Sequence, residues 1–192
     1  MADSPEPSRS ASCAAEDAAA FAGAPDGFER LWTPHRMVYV DGDARPADES
    51  PGGCPFCAAP GREDPAALIV ARGEAVYAIL NLFPYNPGHL LICPYRHVPA
   101  LTDLSPAEAA ELIVFSQRAI RALERAKRPQ GFNLGLNQGS VAGAGIAAHL
   151  HQHVVPRWLG DSNFFPLIAR SRALPELLAE TRAALAEAWE NV

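Results

Sequence analysis

The stretch AGIAAHLHQHVVPRW, Ala144–Trp158, places His149, His151 and His153 on alternate positions, so half of the chain's six histidines fall within five residues. On a helix, positions i, i+2 and i+4 spread around the cylinder and share no face. On a strand they share one face, with Leu150, Gln152 and Val154 on the other. Val154, Val155 and the strand-ending Pro156 favour the strand reading. Three imidazoles then stand in a row, about 7 Å between successive ones from the strand rise. Such a row is either a metal site or a catalytic face.

The flank discriminates between these. Directly upstream, GLNQGSVAGAG carries Gly135, Gly139, Gly143 and Gly145, with Asn137, Gln138 and Ser140 between them. A loop of that composition exposes backbone N–H groups and amide donors, which is what a phosphate needs. Beside aligned histidines it points to imidazole attack on a phosphoryl group. A neutral imidazole is a good nucleophile near pH 7, and a neighbouring histidine can hold or protonate the leaving oxygen. His151, flanked on both sides, is the natural nucleophile. The alternatives are an all-histidine zinc site that activates water, and an edge strand that is merely rich in histidine.

A second constellation is CPFC, with Cys54 and Cys57. Two thiols at this spacing are half of a zinc site or a redox pair, and a redox pair opens a helix that Pro60 and Gly61 would cut short. A zinc site needs two more ligands. His97 in CPYRHVP and one histidine of the row can supply them, and such a closed site would be structural. Metal-free thiols are the alternative. His89, in NPGHLLICP, reads as a hydrogen-bonded core or turn histidine, His35 as a surface residue and Cys93 as a small buried hydrophobe. Asn81, closing the apolar run YAILN, is either a turn entry or a hydrogen-bond partner for a ribose hydroxyl.

The rest of the chain frames these residues. At 192 residues it suits one domain with a real core. A formal charge of −6 argues against nucleic acid held on a broad basic surface, and no stretch approaches the apolar length of a membrane span. The N-terminus lacks the layout of a secretory signal, so a cytoplasmic protein without a membrane partner is expected. Residues 1–27, rich in Ala, Ser, Pro and acids, read as a disordered extension, and FERLWTPHRMVYV as the first segment able to dock. ALIVARG and EAVYAILNLF predict a hairpin across Gly73, with HLLICPYR, GFNLGLNQG and HLHQHVVPR as further strands. Ser105 as N-cap, Pro106 at N1 and Glu108 at N3 predict a helix to about Lys127, with Leu112, Ile113, Phe115, Ile120 and Leu123 on its apolar side. A closing helix is predicted from about Leu174 to Trp189. Hairpins with one helix between strands and one after them give an antiparallel α+β fold.

At this point HLHQHVV resembles the His-x-His-x-His signature of the histidine triad (HIT) superfamily of nucleotidyl hydrolases and transferases. LNLFPYNPGHLLICPYRH resembles its Pro-Gly-His segment, and the likeness spans roughly residues 54–160. RLWTPHRM, GFNLGLNQG and HVVPRWLGDSNF are similar to the branch of bacterial diadenosine tetraphosphate phosphorylases and related dinucleoside polyphosphate-cleaving enzymes. The resemblance implies a HIT-like fold over residues 28–192: a five-stranded antiparallel sheet with two main helices, the second C-terminal. It also implies a homodimer, with a tetramer as the alternative. By match to the motif, His151 would carry a covalent AMP and His153 would contact the phosphates or the leaving oxygen. Asn81 would hold the ribose, and Asn137 with the backbone around Ala144 and Gly145 would line the phosphate pocket. Zinc-bearing members supply ligands that correspond to Cys54, Cys57, His97 and His149, a structural Zn2+ with no organic cofactor.

The implied substrate is an adenine nucleotide or dinucleoside polyphosphate, with inorganic phosphate or water as acceptor. A nucleoside phosphoramidate or adenylate hydrolase is the alternative activity, and a non-catalytic zinc-stabilised nucleotide-binding module the alternative class. Two departures stand out. Gln152 occupies a position that is usually hydrophobic, and Ala144 stands near the place where triphosphate-cleaving animal members carry a Gln.

Overall fold

The computed structural model describes residues 50–161 and 176–192. The N-terminal extension, His35 with its docking segment, and the expected helix start at Leu174 lie outside them. The described chain opens with two short helical turns, α1 (Pro55–Ala58) and α2 (Asp64–Ala67). The hairpin β1 (Ile69–Arg72) and β2 (Val76–Leu80) follows, then β3 (Leu90–Pro94) and the long helix α3 (Pro106–Lys127). β4 (Gly131–Leu136), β5 (Gln152–Arg157) and α4 (Leu178–Trp189) complete it. The strands form one five-stranded sheet in the order β1-β2-β3-β5-β4, antiparallel at every pairing. The α+β architecture is the one expected.

Strand alternation divides the core into two layers. Val76, Ala78, Leu80, Leu90, Ile92 and Val154 face α3 and α4, against Leu112, Phe115, Leu123, Leu185 and Trp189. On the other face Tyr77, Ile79, Leu91 and Cys93 pack against Cys54, Phe56 and Ala59 from the segment around α1. Central strands β2 and β3 are therefore buried throughout, and Cys93 is a fully buried small residue. Gln152 lies on the helix face with Val154, opposite Ile92 and Leu136 in the ladders, and is itself buried.

Helix α3 starts as its sequence dictates. The Ser105 hydroxyl accepts from the Glu108 amide, and the Glu108 carboxylate accepts from the Ser105 amide, which satisfies two end donors. Arg96 forks onto the same carboxylate at 2.6 and 2.7 Å, tying the end of β3 to the helix start. That guanidinium, and then the Ser105 amide, hold the Glu108 carboxyl down at about 2. One turn on, Glu111 reaches the hairpin: its carboxylate accepts from the amides of Glu74, Ala75 and Val76 at 2.8, 2.6 and 3.2 Å. A side chain at Gly73 would put Cβ 2.4 Å from a Glu111 oxygen and 2.7 Å from the Phe115 ring, so this approach requires glycine.

Two expectations are corrected, and the described start of α4 is defined. Ile113 is 53% exposed and does not join the apolar side of α3, because that side is set by Leu112, Phe115, Ala119 and Leu123 one turn apart. α4 begins at Leu178, since Leu177 is extended and its carbonyl takes the first helical bond from Thr181. Its predecessor Glu176 is drawn instead to Lys127 and to the Thr181 hydroxyl. Finally, the histidine strand is shorter than HLHQHVVPR: its ladder starts at Gln152, so His149 and His151 precede β5 and only His153 lies within it. The Leu150 amide bonds the Val98 carbonyl outside the sheet, which turns His149 away from the ladder.

Candidate active site and metal cluster

The entry to β5 gives each histidine a different environment. His149 is fully buried, and its Nε2 lies 2.9 Å from the Pro94 carbonyl. A carbonyl only accepts, so Nε2 carries the proton and Nδ1 keeps its lone pair. That Nδ1 lies 3.3 Å from Cys54 Sγ and 3.4 Å from Cys57 Sγ, while His97 Nδ1 is 3.3 Å from Cys57 Sγ. The four donor atoms all fall within 4.8 Å of one another.

These four residues fit a metal ion. Tetrahedral zinc with bonds of about 2.3 Å to sulfur and ~2.0 Å to nitrogen separates S from N by roughly 3.5 Å, close to what is seen. The donor set is the Cys2His2 chemistry of a closed site, and the Pro94 carbonyl supplies the outer hydrogen bond that fixes the His149 tautomer. Burial, and then the neighbouring Cys54, push the Cys57 thiol up to about 11. Burial first, offset in part by the Pro94 carbonyl, holds His149 down at about 4. Among the described residues His97 Nε2 is buried without a partner.

His151 faces a different task. Its Nδ1 is 2.8 Å from the His149 carbonyl, so Nδ1 donates and Nε2 is left as the bare nitrogen. Burial lowers its pKa below the ordinary imidazole value and keeps it neutral. The His153 ring sits 5.1 Å away, nearer than the spacing taken from strand rise because the side chains lean together.

His153 is set by a residue read from sequence as a core or turn histidine. The Tyr85 amide donates to His89 Nδ1 at 3.1 Å, so His89 carries its proton on Nε2. That atom lies 2.9 Å from His153 Nδ1 and donates to it, which places the His153 proton on Nε2. His153 Nε2 is buried and has no partner among the described residues. Burial, then His151, lowers His153 to about 4. The neighbouring histidines thus present a bare nitrogen on His151 and an N–H on His153. The Tyr85 ring lies parallel to His153 at 5.9 Å and over His89 at 4.7 Å.

His89 is buried as expected, yet its bond to His153 makes it part of the site; the Pro-Gly-His segment itself was the signal for it. The loop before it is braced from β5, where Asn86 donates to the Pro156 carbonyl and to Asp161, and Asp161 receives the Arg157 fork. Gly88 has φ +85°, and a Cβ there would stand 2.9 Å from Leu123. Asn81 closes the turn: its Oδ1 accepts from the Phe83 amide and its Nδ2 lies 3.3 Å from His89 Nδ1. Asn137 leaves β4 just past Leu136, which pairs with Gln152, so it stands opposite the segment carrying His151. Ala144 is buried and follows Gly143 at φ +86°, with partly exposed Gly145 after it. The Gln138 side chain is engaged elsewhere, accepting from the Leu101 amide.

Comparison with known proteins agrees with this construction. The profile of the HIT domain matches residues 62–158. A Mycobacterium tuberculosis protein named AP-4-A phosphorylase is 49% identical over 176 residues, covering 87% of each chain. The crystal structure of a Zn-bound histidine triad family protein from Mycobacterium smegmatis superposes with TM-score 0.60 at 30% identity, over 74% of this chain and 96% of that one. A hypothetical histidine triad nucleotide-binding protein from Sulfolobus tokodaii gives TM-score 0.59 at 28% identity, over 72% and 93%. The chain belongs to the HIT family. Among the described residues no helix is long and apolar enough to cross a membrane.

Proposed function

We propose that the protein is a nucleotidyltransferase that cleaves dinucleoside polyphosphates, with diadenosine tetraphosphate as the model substrate. The observation that carries this reading is the pair of tautomers: a bare Nε2 on His151 beside an N–H on His153. In the first step His151 Nε2 bonds to the α-phosphorus and the bond from that phosphorus to the bridging oxygen breaks. ATP leaves, its new terminal oxygen stabilised by the His153 N–H. In the second step an oxygen of inorganic phosphate attacks the same phosphorus and releases ADP, restoring His151. Asn81 serves the ribose by turning from the Phe83 amide. Asn137 and the backbone at Ala144 and Gly145 serve the phosphates. The 49% identity to a protein named AP-4-A phosphorylase favours phosphate over water as the acceptor.

Cys54, Cys57, His97 and His149 would hold zinc, which in a closed site supplies structural fixation and no open position for substrate. The protein works as a cytoplasmic homodimer or tetramer: β4 is an edge strand, and Leu134 on it is exposed, as are Ile113 and Val114 on α3.

The test is incubation with diadenosine tetraphosphate, with and without phosphate, and separation of the products. ADP formed only with phosphate establishes the phosphorylase. AMP formed regardless of phosphate establishes a hydrolase instead, and absence of products leaves a nucleotide-binding module. His151→Ala is expected to abolish turnover; retained turnover refutes the covalent route.

A further inference from the structure

Phe56, one of the two residues between the thiols of Cys54 and Cys57, packs against His151. The Phe56 ring lies 4.9 Å from the His151 ring, tilted by 48°, and edge-on to His149 at 5.5 Å. Among the described residues His151 has one hydrogen bond, from Nδ1 to the His149 carbonyl, and that bond fixes the tautomer but leaves the ring able to swing about it. Its plane is held by walls: His153 on one side at 5.1 Å, and Phe56 on another.

Phe56 is itself held at several points. It sits in α1, where the Ala58 amide returns to the Cys54 carbonyl, and its own carbonyl accepts the buried Tyr77 hydroxyl of β2 at 2.6 Å. Cys54 and Cys57 flank it, each with Sγ turned to His149 Nδ1. The backbone under the ring is therefore fixed, and the ring itself is buried against the core. A side chain that only filled the core beside Ile69, Leu91 and Cys93 would need apolar volume and no fixed angle toward an imidazole.

We propose that Phe56 is a positioning residue for His151: the CPFC turn carries the ring that sets the plane in which His151 presents Nε2. The proposal rests on the reading of His151 as nucleophile. It makes the metal cluster a support for the reacting nitrogen, since the same turn carries both the thiols and the ring.

The experiment uses the full-length, metal-loaded protein with Phe56→Leu, which keeps most of the apolar volume, and Phe56→Met as a second substitution. Carbethoxylation of His151 by diethyl pyrocarbonate, followed by peptide mass spectrometry, reads the exposure of Nε2 without any substrate. It is expected to speed up at least several-fold in both variants, with zinc content unchanged. Stripping metal from the unsubstituted protein is expected to produce a rise of the same kind. With diadenosine tetraphosphate and phosphate, kcat is expected to fall ~10-fold while KM stays within about twofold, the loss that follows misplacement of a reacting group. An unchanged His151 modification rate in both variants overturns the proposal, as does a loss of kcat that merely tracks loss of zinc. If the unsubstituted protein turns over no dinucleoside polyphosphate, the proposed function fails, and the modification rates still decide the role of Phe56.

Discussion

His89 Nε2 and His153 Nδ1 are 2.9 Å apart, and the bond between them decides which face of His153 carries a proton. Breaking it would leave His153 free to place its proton on Nδ1 and turn a lone pair toward the substrate. His89→Ala is expected to lower kcat by ~10–100-fold, less than the ~10²–10⁴-fold attributed to a positioned proton donor, because His153 itself remains. His89→Gln keeps a donor near Nε2 and is expected to recover most of the loss. Steady-state kinetics of the two variants checks this, and equal losses in both would count against a tautomer-setting role.

The hairpin clasp gives a stability prediction. Gly73→Ala drives Cβ into Glu111 and Phe115 and is expected to cost about 1–3 kcal/mol. Glu111→Ala leaves three amides without their acceptor and is expected to cost about 1–3 kcal/mol by itself. Since one clash at residue 73 is with Glu111, the double variant should lose less than the sum. Urea unfolding of the three variants measures the coupling.

Metal removal should be felt by the whole fold. Cys54→Ser, or dialysis against a chelator, is expected to lower unfolding free energy by on the order of 3–5 kcal/mol and to remove bound zinc. Elemental analysis and thermal unfolding are the measurements, and an unchanged zinc content after Cys54→Ser would refute the ligand assignment.

The buried His153 makes stability depend on pH in a stated direction. Its folded value of about 4 lies below the ordinary 6.5, chiefly through burial and secondarily through His151. The unfolded chain therefore binds a proton that the folded chain does not between these values. Stability should fall as pH drops from 6.5 toward 4, and this residue should add no slope above 6.5. His153→Asn should flatten that part of the curve, as read from urea midpoints between pH 4 and 8.

Much of this was legible because the relevant signals were local. The Ser105–Glu108 capping box and the Gly73 hairpin are short-range patterns, and both elements formed where their residues indicated, whereas Pro156 lies within β5, paired with Phe132, and the strand ends at Arg157. The thiol pair and His149 were linked through a resemblance, because no local pattern joins residues 95 apart. The strand is shorter than its alternation suggests because the Leu150 amide bonds the Val98 carbonyl instead of a sheet neighbour, a contact that alternation does not encode. His89 and Phe56 were missed as parts of the site for a similar reason: one acts through another imidazole and the other through a ring face. For His89 the Pro-Gly-His segment was the one signal, and for Phe56 there was none.

The long reach of the cluster also bears on when the site can exist during synthesis. Cys54 and Cys57 leave the ribosome early, and the nitrogen they meet on His149 follows 95 and 92 residues later. Between them lie β1 to β4 and the whole of α3, whose local contacts can form first. Closing that loop is a late event, and it brings the Phe56 ring against His151 in the same motion. Uptake of metal by a nascent chain would thus mark the moment at which the polypeptide acquires a reactive imidazole, leaving shorter intermediates chemically silent.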